Sequence, residues 1–274
     1  MVEDTPGLGF RTTPRYVQCA PNLLLIGVTH APIYRAGEDG VTRDEIATKL
    51  NALEKTLAGM SYLCVEASEY SWRTINSMKP DTFEGFTSRN FKGRFVYLDE
   101  NTDYADALKI QGMSPSLFGM MQMLTIYPNI QAASPDPESF FLNMTASLNH
   151  GKQVTAYYRG IDVETVIGKL PKIFYFLMSQ PELLRGCFEA AIKFENDYLS
   201  GLRDHLFYAP KIKEMQSLDG MKGAMLGDSH IDPIAKCLTA EAPARPPYWF
   251  QFIMKQDRQT QSMIALIEVM DKEF

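Results

Sequence analysis

Four short apolar runs, each closed by polar residues, constrain what this chain can fold into. They are NLLLIGVTH (22–30), SYLCVEAS (61–68), RFVYLDE (94–100) and KGAMLGDSH (222–230). Each is short, lacks a helical period and stops at turn chemistry, so each reads as a buried strand. Continuous apolar runs belong to strands covered on both faces, as parallel strands are. A helix separates the first two. Thr42 suits its N-cap, and Glu45 three residues on completes a capping box. Ile46, Leu50, Leu53 and Leu57 then fall on one apolar stripe that ends near Gly59. Strand, helix and strand in succession imply βαβ units. The expected fold is therefore α/β, a central and mostly parallel sheet flanked by helices.

The rest of the chain is organised around those runs. Residues 1–21, with three prolines, read as an irregular lead-in. Residues 69–93 predict a helix from about Tyr70, then a loop rich in Gly and Asn. From 101 to 220 the patterning is mainly helical. Helices are expected over 114–127, over 136–151, over 163–179 with an interruption at Pro171, and as one long element over 181–207. QVTAYY (153–158) suggests an extra strand. A helix should begin at IDPIAKCL, followed by a Pro-rich loop (242–250) and a final amphipathic helix (256–272). We read residues 1–274 as one domain. In it, 22–104 and 221–274 form the sheet core, and 105–220 is a helical insertion closing over the site as a lid.

Composition sets outer limits. With 274 residues, 45% of them hydrophobic and 22% charged, the chain can bury a core without a disulfide or a metal. The net charge is -6 and no Lys/Arg run reaches five residues, which argues against a nucleic-acid track. Cys19, Cys64, Cys187 and Cys237 are scattered and make no CxxC. The N-terminus has no apolar signal segment, and Leu23 to Val28 is too short to span a bilayer. These features lead us to expect a cytoplasmic protein with no nucleic-acid or membrane partner. P-loop, GxSxG and HExxH motifs are missing, and no GxGxxG follows a strand.

In open parallel sheets, ligands bind beyond the carboxyl ends of the strands. His30 follows the first run, Glu66 ends the second, Asp99 ends the third and His230 ends the last. If the strands are parallel, two imidazoles and two carboxylates gather at one edge. Such a set suits metal ligation or general acid–base work. Arg73, on the helix after the second run, and Arg203, on the helix before the last, suit an anionic substrate group. His150 and His205 read as helix-face residues. GMMQML (119–124) and IFYF (173–176) read as core, or as an adaptable lid over an apolar pocket.

Taken in order, these motifs resemble the TraB/Tiki branch of the superfamily that includes ChaN-like haem-binding proteins and erythromycin esterases. IGVTH (26–30) and LGDSH (226–230) match its two GxxH motifs. VEASEYSWR (65–73) matches its Glu-then-Arg strand, and LRDHL (202–206) its Arg-bearing helix. LDE (98–100) departs from the usual Asp-Arg, since Glu100 stands where Arg is common. The Tiki resemblance implies metal-dependent hydrolysis of a peptide, amide or ester bond. His30, Glu66 and His230 would hold a divalent Mn, Zn, Fe or Co, Asp99 would fix an imidazole tautomer, and Arg73 and Arg203 would hold a small-molecule or peptide substrate. The erythromycin-esterase resemblance implies metal-free acid–base chemistry through His and Glu. That reading extends to elimination or group transfer on a small molecule in natural-product metabolism. A third reading is a binding or regulatory subunit with a relict site, its 242–250 loop and last helix forming a homo- or hetero-oligomer interface. The ChaN resemblance implies haem ligation by His30 or a Tyr.

Overall fold

The computed structural model describes residues 13–30, 33, 42–100, 134, 136–154, 163–193 and 200–239, with positions 261, 265, 266, 269 and 272. Five strands form one sheet: β1 (Arg15–Ala20), β2 (Leu23–Val28), β3 (Tyr62–Val65), β4 (Arg94–Tyr97) and β5 (Lys222–Gly227). Their order in space is β1-β2-β5-β3-β4. β2, β5, β3 and β4 are parallel, and β1 is antiparallel to β2. The α/β fold and all four expected strands are present. β5 enters last yet sits between β2 and β3, and all six of its residues are buried. That burial on both faces is why the run carries no alternation.

β1 corrects the expectation of an irregular lead-in. Arg15 to Gln18 pair in order with Gly27 to Leu24, and Ala20 pairs with Leu23. An edge strand covered on one side alternates half-buried and exposed residues, as Arg15 to Gln18 do, and forms no apolar run. The two prolines beside it, Pro14 and Pro21, sit just outside the strand, where a missing N–H costs no ladder bond.

Helix α1 (Arg43–Ala58) begins with the expected box: Glu45 N–H donates to Thr42 Oγ1 at 3.3 Å, and Thr42 N–H donates to Glu45 Oε2 at 2.8 Å. Ile46, Leu53 and Leu57 are buried on its stripe and Gly59 caps its end. Helix α2 (Glu69–Met78) starts at Ser68, whose hydroxyl accepts the Ser71 N–H. Helix α3 (Phe83–Asn90) lies where a Gly/Asn loop was expected. Thr82 caps it by accepting the Gly85 N–H at 3.1 Å. A Cβ on Gly85 would lie 2.3 Å from the Lys79 carbonyl oxygen, so this glycine lets the incoming chain cross the first turn of α3. Ile26, Val28, Ile46, Leu53, Leu57, Leu63, Val65, Trp72, Phe83, Phe91 and Met225 belong to one apolar cluster joining these helices to the sheet.

The remaining helices are α4 (Pro137–Val154), α5 (Val163–Met178), α6 (Pro181–Lys193), α7 (Ser200–Arg203), a π-helical turn (Asp204–Tyr208), α8 (Ala209–Met215) and α9 (Asp228–Thr239). α5 runs through Pro171 without a break in its assignment. The single long helix expected over 181–207 is helical over Pro181–Lys193 and again from Ser200, and changes type at a π-turn from Asp204; 194–199 lie outside the described residues. Of the strand expected over 153–158, Gln153 and Val154 are helical and belong to α4, and 155–158 lie outside the described residues. So do the segments read as a helix over 114–127 and a loop over 242–250, and most of 256–272.

By contacts the chain forms two compact units. The first joins Met1–Leu98 to Tyr208–Glu241 and holds the sheet with α1 to α3, α8 and α9. The second joins Asp99–Phe207 to Ala242–Phe274. Among the described residues no helix is long and apolar enough to cross a membrane.

Candidate functional site

Strand register places the candidate residues. Val28 pairs with Gly227 across β2 and β5, and Val65 pairs with Met225 across β3 and β5. Three carboxyl ends thus lie side by side. His30 follows β2 by two residues, and Glu66 directly follows β3. His230 was expected at a strand end but lies in the first turn of α9. β5 passes into α9 with no intervening loop, so GDSH is itself the start of the helix.

Glu66 is the centre of the group. Its Oε1 lies 3.3 Å from His230 Nε2, and its Oε2 lies 3.7 Å from His30 Nε2. Oε2 also accepts the Gly227 N–H at 2.8 Å. On the other side of the His30 ring, Nδ1 lies 2.5 Å from Glu84 Oε1. The cluster is therefore a chain of alternating charge types, Glu84, His30, Glu66 and His230. Gly227 forms the floor between them. A Cβ there would lie 2.9 Å from His30 Nε2, 3.4 Å from Glu66 Oε2 and 3.4 Å from His230 Cδ2.

Exposure differs across the cluster. His230 is buried against Tyr208, whose ring meets it edge-on at 5.9 Å. Glu66 and Glu84 side chains are about nine-tenths buried, whereas half of the His30 side chain reaches solvent. Glu66 and Glu84 both favour the imidazolium of His30 and push its pKa up to about 10, against the opposing cost of burial. Glu84 is the closer of the two carboxylates. The solvent-facing imidazole of His30 is thus charged at neutral pH.

The sequence reading brought His30, Glu66, Asp99 and His230 to one sheet edge, and of these the structure draws His30, Glu66 and His230 into one cluster. It missed Glu84, which stands in the first turn of α3. Its only local signal was the Pro80-Asp81-Thr82 turn and cap before it. Asp99 follows β4 by two residues, is buried and belongs to the second unit. Arg203, also buried, ends α7 in that unit. Arg73 is exposed on α2, where it pairs with Glu69 one turn earlier. His150 lies within α4, and His205 within the π-turn.

Two imidazole nitrogens and a carboxylate are donor types that divalent Mn, Zn, Fe and Co accept. The arrangement does not fit such an ion as it stands. Glu66 turns a different oxygen to each imidazole, and among the described residues no group of three or more His, Cys, Asp or Glu is arranged to hold a metal. No family model, curated protein or solved structure matches this chain.

Proposed function

We propose that His30, Glu66 and His230 form the active site of an acid–base hydrolase. Its substrate would carry an ester or amide bond, in a small molecule or a peptide. The observation that carries this reading is one carboxylate faced by two imidazoles at the carboxyl ends of three adjacent strands. The resemblance to the TraB/Tiki and erythromycin-esterase proteins supports the same reaction class.

The chemistry follows from the protonation states. His30, with its pKa near 10, carries a proton at neutral pH and is a general acid open to solvent. Glu66 is the adjacent general base. Water attacks the substrate carbonyl and gives its proton to Glu66. His30 Nε2 protonates the departing oxygen or nitrogen as the bond breaks. The proton on Glu66 then returns to His30, leaving an acid and an alcohol or amine. His230, buried on the far oxygen of Glu66, holds the carboxylate in place. This group supplies about 10²–10⁴ of rate by proton transfer.

The test is turnover by the purified full chain against aryl esters, lactones and peptides, with products read by mass spectrometry. Glu66→Gln and His30→Gln should each lower the rate by about 10²–10⁴ while the circular dichroism spectrum stays unchanged. Equal rates in either folded variant contradict the reading. A second reading, a metal-dependent hydrolase, would need His30, His230 and Glu66 to turn toward a common ion, which they do not hold as they stand. Stoichiometric metal in the wild type that is lost in His30→Ala would select it.

A further inference from the structure

We propose that Glu84 is the positioning residue of this site: by accepting the Nδ1 proton of His30 it fixes the ring's tautomer and reserves Nε2 for proton exchange with substrate. This rests on the reading of His30 as the acid of the site.

Three observations support it. First, the two ring nitrogens are held unequally. Nδ1 is within hydrogen-bond reach of Glu84 at 2.5 Å, while Nε2 is 3.7 Å from Glu66, beyond that reach. Among the described residues Nε2 is thus the less closely held nitrogen and the one left to meet a bound molecule, whereas Nδ1 is engaged by Glu84. A carboxylate on one imidazole nitrogen sets which nitrogen exchanges the proton.

Second, Glu84 stays where it is for reasons unrelated to His30. It occupies the first turn of α3, a position fixed by the helix itself. Thr82 caps the same turn, and Phe83 beside it is buried in the core. The close crossing at Gly85 locks the backbone further.

Third, the two segments are tied twice. Three residues after His30, the Ile33 N–H donates to the Asp81 carbonyl at 2.6 Å, three residues before Glu84. Ile33 is itself buried. A backbone tie and a side-chain tie so close together fix the direction of the ring as well as its position. The Glu84 side chain is only 8% exposed, so water competes little for Oε1.

Nitrogen-15 correlated NMR of the full chain, without substrate, tests this. His30 signals are assigned by their disappearance in His30→Gln. In the wild type the expected result is a far-downfield Nδ1 proton on His30 at neutral pH, with Nε2 exchanging first as pH rises. In Glu84→Gln that downfield proton should vanish and the His30 titration should fall by about 1–3 pH units. Glu84→Asp should recover part of the shift. A wild-type ring that loses its Nδ1 proton first overturns the proposal, with no variant needed. An unchanged tautomer and titration in folded Glu84→Gln also overturns it. Failure of the hydrolase reading would appear separately, as absent turnover with the downfield Nδ1 proton intact.

Discussion

The Gly227 N–H donates to Glu66 Oε2 at 2.8 Å, so the glycine of the second GxxH motif holds the carboxylate that both motif histidines face. It does so without unusual backbone, since Gly220 is the only described glycine with positive φ. The demand for glycine is one of space. Gly227→Ala would push a methyl to 2.9 Å from His30 Nε2. The expected result is a fall in turnover of at least about tenfold, with a stability loss of about 1–3 kcal/mol from overpacking. Steady-state rates and urea unfolding of the variant check both, and wild-type turnover would count against the site.

The raised pKa of His30 also makes stability depend on pH. Its folded value, near 10, lies above the ordinary 6.5, so protons bind the folded state more tightly. The resulting stabilisation is complete below pH 6.5 and is lost as pH rises through 10. Half of the side chain is exposed, so solvent screening keeps the effect modest. The melting temperature of the wild type should exceed that of His30→Gln most below pH 6.5, and the two should converge above pH 10. A gap that stays constant over that range is inconsistent with the ion pairs.

Lys222 opens β5 with a fully buried side chain. Its ammonium reaches the Gln216 carbonyl at 3.4 Å and makes a short contact to the Leu218 carbonyl, just past the end of α8. A cation there satisfies carbonyls that the helix end leaves open. Lys222→Met keeps the apolar stem and removes the donor. Stability should fall by about 1–3 kcal/mol in urea unfolding. A change within about 0.5 kcal/mol would show that the contacts carry little.

What the sequence could reveal follows from which residues signal through the backbone. β2, β3, β4 and β5 were legible because strands inside a parallel sheet leave unbroken apolar runs. Thr42, Glu45 and Gly59 marked α1 because caps need particular side chains. His30 and Glu66 were legible because they directly follow such strands. β1 was not, because one open side leaves Tyr16 and Gln18 exposed and breaks the apolar signal. α3 was hidden by Gly85 and Asn90, which serve a chain crossing and a helix end but read as a loop. Glu84 was hidden with it. It reaches His30 from 54 residues away by helix placement, which no local pattern encodes.

The most direct test of the site is the titration of His30 by NMR in the wild type and in Glu66→Gln. The geometry predicts a wild-type midpoint near 10 and a clear fall once the Glu66 charge is removed. A wild-type midpoint at the ordinary 6.5, unmoved in Glu66→Gln, would mean that Glu66 and Glu84 do not hold this imidazole. The acid–base site would then have no basis.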